Sequence, residues 1–412
     1  MIRSAPVLDT PGAAADRFAG LPPYAFPRLR ALLGDTPPGL EPINLSIGEP
    51  KHAFPPFVAE ALTRHQADYG RYPPNQGTES WQAAVAGWLT RRFNLPQGQI
   101  GEKHLVPLNG TREGLFQAAI ALVPPHKAGA QPAVLMPNPF YQCYAGAALA
   151  AGAEPVFLNA GKDTGFLPDL DAIPAQTWDR AALFYLCSPA NPQGAVASRA
   201  YLEKLIGLTR AHDCVLALDE CYSEIYTGTA PAGGLDVAWS TSGSFAGVLV
   251  FHSLSKRSNL PGLRSGFAAG DPELASRFMK VRAYGGAPSP IPVYEAAALA
   301  WGDEAHVEQN RAAYAEKFAL ADQMLGDRFG PVAPQGGFFL WLDVGGGEKA
   351  AFELWRDQGL RVLPGGYLAR EDQHGINPGA AYIRVALVDD PGTLADAFGR
   401  LNIWLDTTNG TN

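Results

Sequence analysis

Six short apolar runs divide the middle of this 412-residue chain: AVLMPNP, PVFLNA, ALFYLCSPANP, CVLALDE, GVLVFHS and SGFAAGD, all between residues 133 and 271. None of them alternates apolar with polar residues. A strand of that kind has both faces covered, as in a parallel sheet lying between helical layers. Around the runs lie stretches such as FVAEALTRHQADY, ESWQAAVAGWLTRRF and REGLFQAAIALV, with apolar residues three and four apart. That is the helical period. The alternation predicts an α/β fold whose large domain carries a mostly parallel, doubly wound sheet.

After about Pro290 the texture changes. One long helix is expected from VYEAAALAW through EQNRAAYAEKFALADQML, followed by GGFFLWLDV, AAFELWRDQG, RVLPGG and AYIRVALV. Fewer strands of mixed polarity predict a second, smaller α+β domain. The Pro-, Gly- and Ala-rich first forty residues show little periodicity and read as an arm. The expected division is an arm with part of the small domain over 1–53, the large domain over 54–295, and the C-terminal small domain over 296–412.

Composition narrows the partners. The net charge is −8 and no run of like charge stands out. Binding to nucleic acid or an anionic membrane needs clustered Lys and Arg, so neither is expected. No apolar segment approaches the ~20 residues of a membrane helix, and the N-terminal MIRSAPVLDTPGAAADRF lacks the apolar core of a secretory signal. Cys143, Cys187, Cys214 and Cys221 follow no zinc spacing, and the histidines are scattered. Reduced thiols in a cytoplasmic protein without a metal are the expectation.

In open α/β sheets, ligands sit beyond the carboxyl ends of the strands. The polar residues there are the candidates. Lys256 follows GVLVFHS, flanked by Ser253, Ser255 and Arg264; it is either a solvated loop lysine or an amine placed to form an imine. The serines and the arginine offer donors to a phosphate. Asp219 ends CVLAL, where a carboxylate either caps a helix or pairs with a cation, and Tyr222 follows three residues later. Asn191 is restrained by neighbouring prolines. Gly110, Thr111 and Arg112 form a turn into a helix, where free N–H groups favour either a cap or a phosphate. Tyr141 offers a flat face, and Arg384 lies inside the apolar YIRVAL, where an arginine needs a carboxylate or a salt bridge. Gly48 and Tyr72 lie on turns punctuated by glycine and proline.

Taken in order from Asn44 to Leu387, the set resembles the fold type I pyridoxal-phosphate aminotransferases of class I and II. The spacings of 37 residues from Asp219 to Lys256 and 8 from Lys256 to Arg264 fit that pattern. The resemblance implies a sheet of the seven-stranded type and pyridoxal 5′-phosphate as cofactor, held as a Schiff base by Lys256. It implies that Asp219 pairs with the ring nitrogen, that Tyr222 and Asn191 contact the ring hydroxyl, and that Tyr141 stacks on the ring. Gly110, Thr111, Arg112, Ser253, Ser255 and Arg264 would cradle the phosphate. Arg384, Asn191 and Gly48 would hold the substrate. Tyr72 would reach the phosphate of a second subunit, which implies a homodimer with shared active sites.

Finer resemblance, in NGTREGLF, PNPFYQCY, LDECYSEIY and FHSLSKRSNLPGLRSGF, is to the bacterial N-succinyldiaminopimelate aminotransferases. It implies transfer of an amino group between glutamate and N-succinyl-2-amino-6-oxopimelate in lysine and diaminopimelate synthesis. Aspartate- or aromatic-type aminotransfer and carbon–sulfur β-lysis are the alternatives within the fold; a non-catalytic regulator is the one outside it. Ala190 and Gln193 depart from the family pattern without touching a required atom. Arg257, Arg282 and Tyr284 are candidates for reading the substrate's far end, with a solvated surface or interface position as the alternative for each.

Overall fold

The computed structural model describes residues 16–21, 23–372 and 374–409. Seven strands make its main sheet: β1 (Leu105–Leu108), β2 (Ala133–Asn138), β3 (Glu154–Asn159), β4 (Ala181–Cys187), β5 (Val215–Asp219), β6 (Val248–Ser253) and β7 (Gly266–Gly270). Their spatial order is β1-β7-β6-β5-β4-β2-β3. Strand β7 runs antiparallel to β1 and β6, and every other pairing is parallel.

The apolar runs are continuous because both faces are covered. In β4, Phe184 and Leu186 pack into a layer with Trp81, Trp88, Leu205 and Leu235, while Leu183 and Tyr185 join Leu115, Tyr144 and Phe278 on the other side. Each fully buried side chain of this size contributes about 1.5–3 kcal/mol of transfer free energy. Strand β3, the PVFLNA run, is different. It lies at the sheet edge, and its apolar residues are only half-buried.

A three-stranded antiparallel sheet, β9-β10-β8, forms the second core from β8 (Phe339–Asp343), β9 (Leu363–Pro364) and β10 (Tyr382–Ala386). Against it pack Tyr314, Phe318 and Leu325 of one helix and Leu394, Phe398 and Leu401 of another. Residues Ile43–Asn44 pair in parallel with Leu360–Arg361, tying the N-terminal segment to this core.

Two expectations change. The arm contains a helix, Ala25–Leu33, whose Ala25, Leu29 and Leu33 form one buried face. The single long helix is two, Ile291–Gly302 and Ala305–Phe329. The first buries Tyr294, Ala296, Ala297 and Trp301 in the large core, and the second buries Tyr314 and Phe318 in the small one. Arg257 holds the break by donating to the Ala300 and Asp303 carbonyls at 2.6 and 3.1 Å. The Asp303 carboxylate then accepts the His306 N–H at 3.1 Å and starts the next helix.

Among the described residues, no helix is long and apolar enough to cross a membrane, and no group of three His, Cys, Asp or Glu residues is placed to hold a metal ion.

Candidate active site

A cavity of about 500 Å³ opens at the carboxyl ends of β4, β5 and β6, closed from the other side by β10 and the N-terminal segment. Each strand delivers its last polar residue to the rim. Asp219 ends β5 paired with Cys187 of β4 and Phe251 of β6, which puts it on the face shared with Tyr144 and Tyr185. It is buried at 5% exposure. Its Oδ2 accepts the Tyr144 hydroxyl at 2.8 Å and its Oδ1 the Cys221 N–H at 3.3 Å. Burial pushes the carboxyl above the usual aspartate range, against the pull of those hydrogen bonds.

Strand β6 ends in Ser253, and the single helical turn Leu254–Arg257 follows it. That turn raises Lys256 into the cavity, where its Nζ donates to the Gly48 carbonyl at 2.5 Å. Burial lowers the amine from 10.5 to about 8, and the positive charge of Arg384 adds to the fall. A substantial fraction of the amine is therefore neutral near physiological pH, as a nucleophile or base requires.

Arg384, in the middle of β10, is 5% exposed. Its Nη1 donates to Asn191 Oδ1 at 3.1 Å and its Nη2 to the Ser46 carbonyl at 2.7 Å, with the Phe339 ring 4.1 Å away. Among the described residues Nε has no hydrogen-bond partner and no carboxylate pairs with the guanidinium. Burial lowers it from 12.5 to about 10. Such a fork, facing a cavity, is built to take a carboxylate from outside the protein.

At the opposite end, Thr111 begins the helix Thr111–Leu122, with its hydroxyl 2.9 Å from Cys221 Sγ. Ser253, Ser255 and Arg264 line the same wall. Gly110 has φ +83°, and a Cβ there would lie 2.0 Å from Arg264 Nη2, so only glycine lets the arginine cross this turn. Tyr141 is held from one side by Arg112, whose Nε donates to its hydroxyl. Tyr222 is buried against Phe338 and Phe339, and its hydroxyl forms no hydrogen bond within the described residues.

Residues 41–390 match the family described as aminotransferase class I and II. The chain is 31% identical over 398 residues to the LL-diaminopimelate aminotransferase of Syntrophobacter fumaroxidans, covering 94% of this chain and 97% of that one. A solved aminotransferase from Neisseria meningitidis superposes with TM-score 0.88 at 39% identity, covering 94% and 99%. A probable N-succinyldiaminopimelate aminotransferase from Thermus thermophilus does so with TM-score 0.78 at 25% identity, covering 91% and 96%. This chain is a class I and II aminotransferase.

Aminotransferases of this family work with pyridoxal 5′-phosphate, and the residues present fit it. Asp219 is a buried carboxylate without a cationic side chain bonded to it, the partner a protonated ring nitrogen needs. Thr111, Ser253, Ser255, Arg264 and a helix N-terminus converge where a phosphate dianion would sit. When bound, the cofactor supplies an electron sink for the carbanion left at the substrate Cα.

The expected aminotransferase residues gather around this one cavity with two exceptions. Gly110 lies behind Arg264, and Tyr72 is fully exposed and is not part of the cavity wall. The three residues considered for the substrate's far end are elsewhere. Arg257 is buried under Glu304, 2.7 Å away, between Trp88 and Trp301. Arg282 is buried on Glu113 and Gln117, both at 2.8 Å, and Tyr284 is 92% exposed. Sequence reasoning missed Tyr144, although it lies three residues after Tyr141, one helical turn on. It also missed Cys221, which stands between Asp219 and Tyr222.

Proposed function

We propose that this aminotransferase moves an amino group between glutamate and a long oxo acid of the diaminopimelate series that carries a carboxylate at each end of its pimelate chain, N-succinyl-2-amino-6-oxopimelate. The observation that carries the amino-acid part is the trio of unpartnered charges around one cavity: Lys256, Asp219 and Arg384. Among the described residues no acid pairs with Arg384, and no base pairs with Asp219. The diaminopimelate series is supported by the name of the Syntrophobacter protein, an LL-diaminopimelate aminotransferase, and its N-succinyl member by the name of the Thermus protein and the sequence stretches around the site.

Each residue then has a defined task. Arg384, steadied by Asn191, grips the α-carboxylate and fixes which bond at Cα stands upright. Lys256 removes the proton at Cα and returns one on the other side of the transfer. Asp219, aligned by Tyr144, would keep the cofactor's ring nitrogen protonated. Tyr222 and Asn191 would supply polar contacts to the ring hydroxyl. Tyr141 would cover the ring face, and Gly48 would let the substrate approach the backbone. We propose a cytoplasmic homodimer in which Tyr72 of one protomer completes the phosphate wall of the other, a role that the full exposure of Tyr72 here supports.

The test is a half-reaction on the holoenzyme. Glutamate should convert the cofactor from its aldehyde to its amine form, read by absorbance, and N-succinyl-2-amino-6-oxopimelate should reverse it. Failure with glutamate would sink the reading. Release of pyruvate and ammonia from a cysteine conjugate, without that conversion, would replace it with a carbon–sulfur lyase.

A further inference from the structure

A second cavity, of about 600 Å³, shares Tyr24, Arg112, Tyr141, Gln142 and Arg264 with the active site as a common wall. Its own lining adds Phe116 and Arg370. Two of its arginines are already engaged. Arg112 holds the Tyr141 hydroxyl, and Arg264 donates to the Pro261 and Asn109 carbonyls at 2.9 and 3.0 Å.

Arg370 is not engaged in that way. Among the described residues its guanidinium makes one hydrogen bond, to the Ala369 carbonyl at 2.9 Å, and it lies 5.0 Å from the centre of the Phe140 ring. No carboxylate of the described residues pairs with it. The acid on this wall, Glu113, is occupied by Arg282 at 2.8 Å and by the Asn109 N–H at 3.0 Å. The backbone of Arg370 is firmly placed. Its N–H donates to the buried Asn138 Oδ1, and its carbonyl accepts from Asn138 Nδ2, both at 2.9 Å. The end of β2 thus fixes where this arginine stands.

Burial lowers the guanidinium to about 10, with the like charge of Arg28 adding to the effect. A half-buried cation beside another cation, and without an anion, is a poor arrangement unless a ligand supplies the anion. Tyr24 and Phe116 offer apolar surface for a methylene chain between the two ends. The active site already presents one carboxylate fork at Arg384, and this chamber presents a second positive pole beyond Tyr141.

We propose that the chamber receives the far carboxylate of a dicarboxylic substrate and that Arg370 is the residue that selects for it. This rests on the reading of the cavity as an amino-acid site, and it gives the substrate class a structural cause. It also replaces Arg257, Arg282 and Tyr284, all of which the fold employs elsewhere or leaves in solvent.

The test compares L-2-aminopimelate with L-2-aminoheptanoate, which differ only in the terminal carboxylate, in half-reactions of wild-type and R370Q holoenzyme. Wild type should favour the diacid by roughly tenfold or more in kcat/KM, mostly through KM, and R370Q should bring the ratio to about one. R370K serves should R370Q not fold: a compact ammonium lacks the planar fork, so the ratio should fall at least about threefold. A ratio that survives in the variants overturns the proposal, as does wild type that converts both donors equally well. Wild type that converts neither these donors nor glutamate refutes the aminotransferase reading as well, so the two failures are told apart.

Discussion

Replacing Arg384 by lysine should separate carboxylate recognition from the rest of the chemistry. Arg384 keeps its charge at 5% exposure with only neutral partners, Asn191 and the Ser46 carbonyl. The fall from 12.5 to about 10 marks what burial costs the charged form, on the order of 3 kcal/mol. A carboxylate seated on the fork relieves that cost and adds charge-assisted hydrogen bonds. A lysine ammonium cannot span Asn191 and Ser46 while presenting two parallel donors. The loss should be about 3–4 kcal/mol, or roughly 200- to 1000-fold in kcat/KM for any α-amino acid. The assay is a stopped-flow half-reaction followed at the cofactor's absorbance, run beside a primary amine of the same length without a carboxylate. The amine's slow conversion should change by less than about threefold, since it never used the fork. A loss below about fivefold for the amino acid, or an equal loss for the amine, would refute the reasoning.

Three further outcomes follow from the same geometry. Competitive acylation of the cofactor-free protein should give Lys256 an apparent pKa near 8 rather than 10.5. With the folded value below the unfolded one, this lysine's contribution to stability rises as pH climbs through that interval; a titration at 10.5 would contradict the burial argument. Tyr144→Phe removes one of the two donors to Asp219, which should cost about 1–3 kcal/mol. It should lower the melting temperature of the cofactor-free protein and weaken retention of the cofactor on dialysis, and no change in either would show that Tyr144 does not support the carboxylate. Gly110→Ala should displace Arg264, because the new Cβ would meet its guanidinium at 2.0 Å; cofactor affinity should fall at least about tenfold, which equilibrium dialysis would check.

The site was legible where chemistry-bearing residues stop an apolar run. Asp219, Ser253 and Lys256 all stand at or just past the end of a strand, and strand ends are visible as changes in texture. Arg384 was legible for the opposite reason, as a charge inside an apolar strand. Arg257 was misread because a basic residue in a polar loop looks solvated; its partner Glu304 is 47 residues away and enters through a helix break that periodicity hid. Arg370 was overlooked for the same reason. Its neighbours Glu371 and Asp372 make the stretch look like ordinary surface, and only the pairing with Asn138 brings it beside the cavity. Half-buried β3 shows the limit of apolar runs: they report a strand well, but not whether the strand lies at the edge.

The pairing of Asp219 with Cys187 and Phe251 has a consequence for variation in this scaffold. Side chains alternate faces along a strand, so the carboxylate's direction depends on an odd or even count from the start of β5. Removing one residue from Val215–Asp219 would turn Asp219 toward Leu235 and Trp88, away from Tyr144 and the cofactor. An insertion on the exposed turn around Gly243, which follows a helix and precedes β6, leaves that count untouched. Length changes in this protein should therefore be absorbed between strands and rejected within them, and a library of single-residue deletions would read out the parity directly.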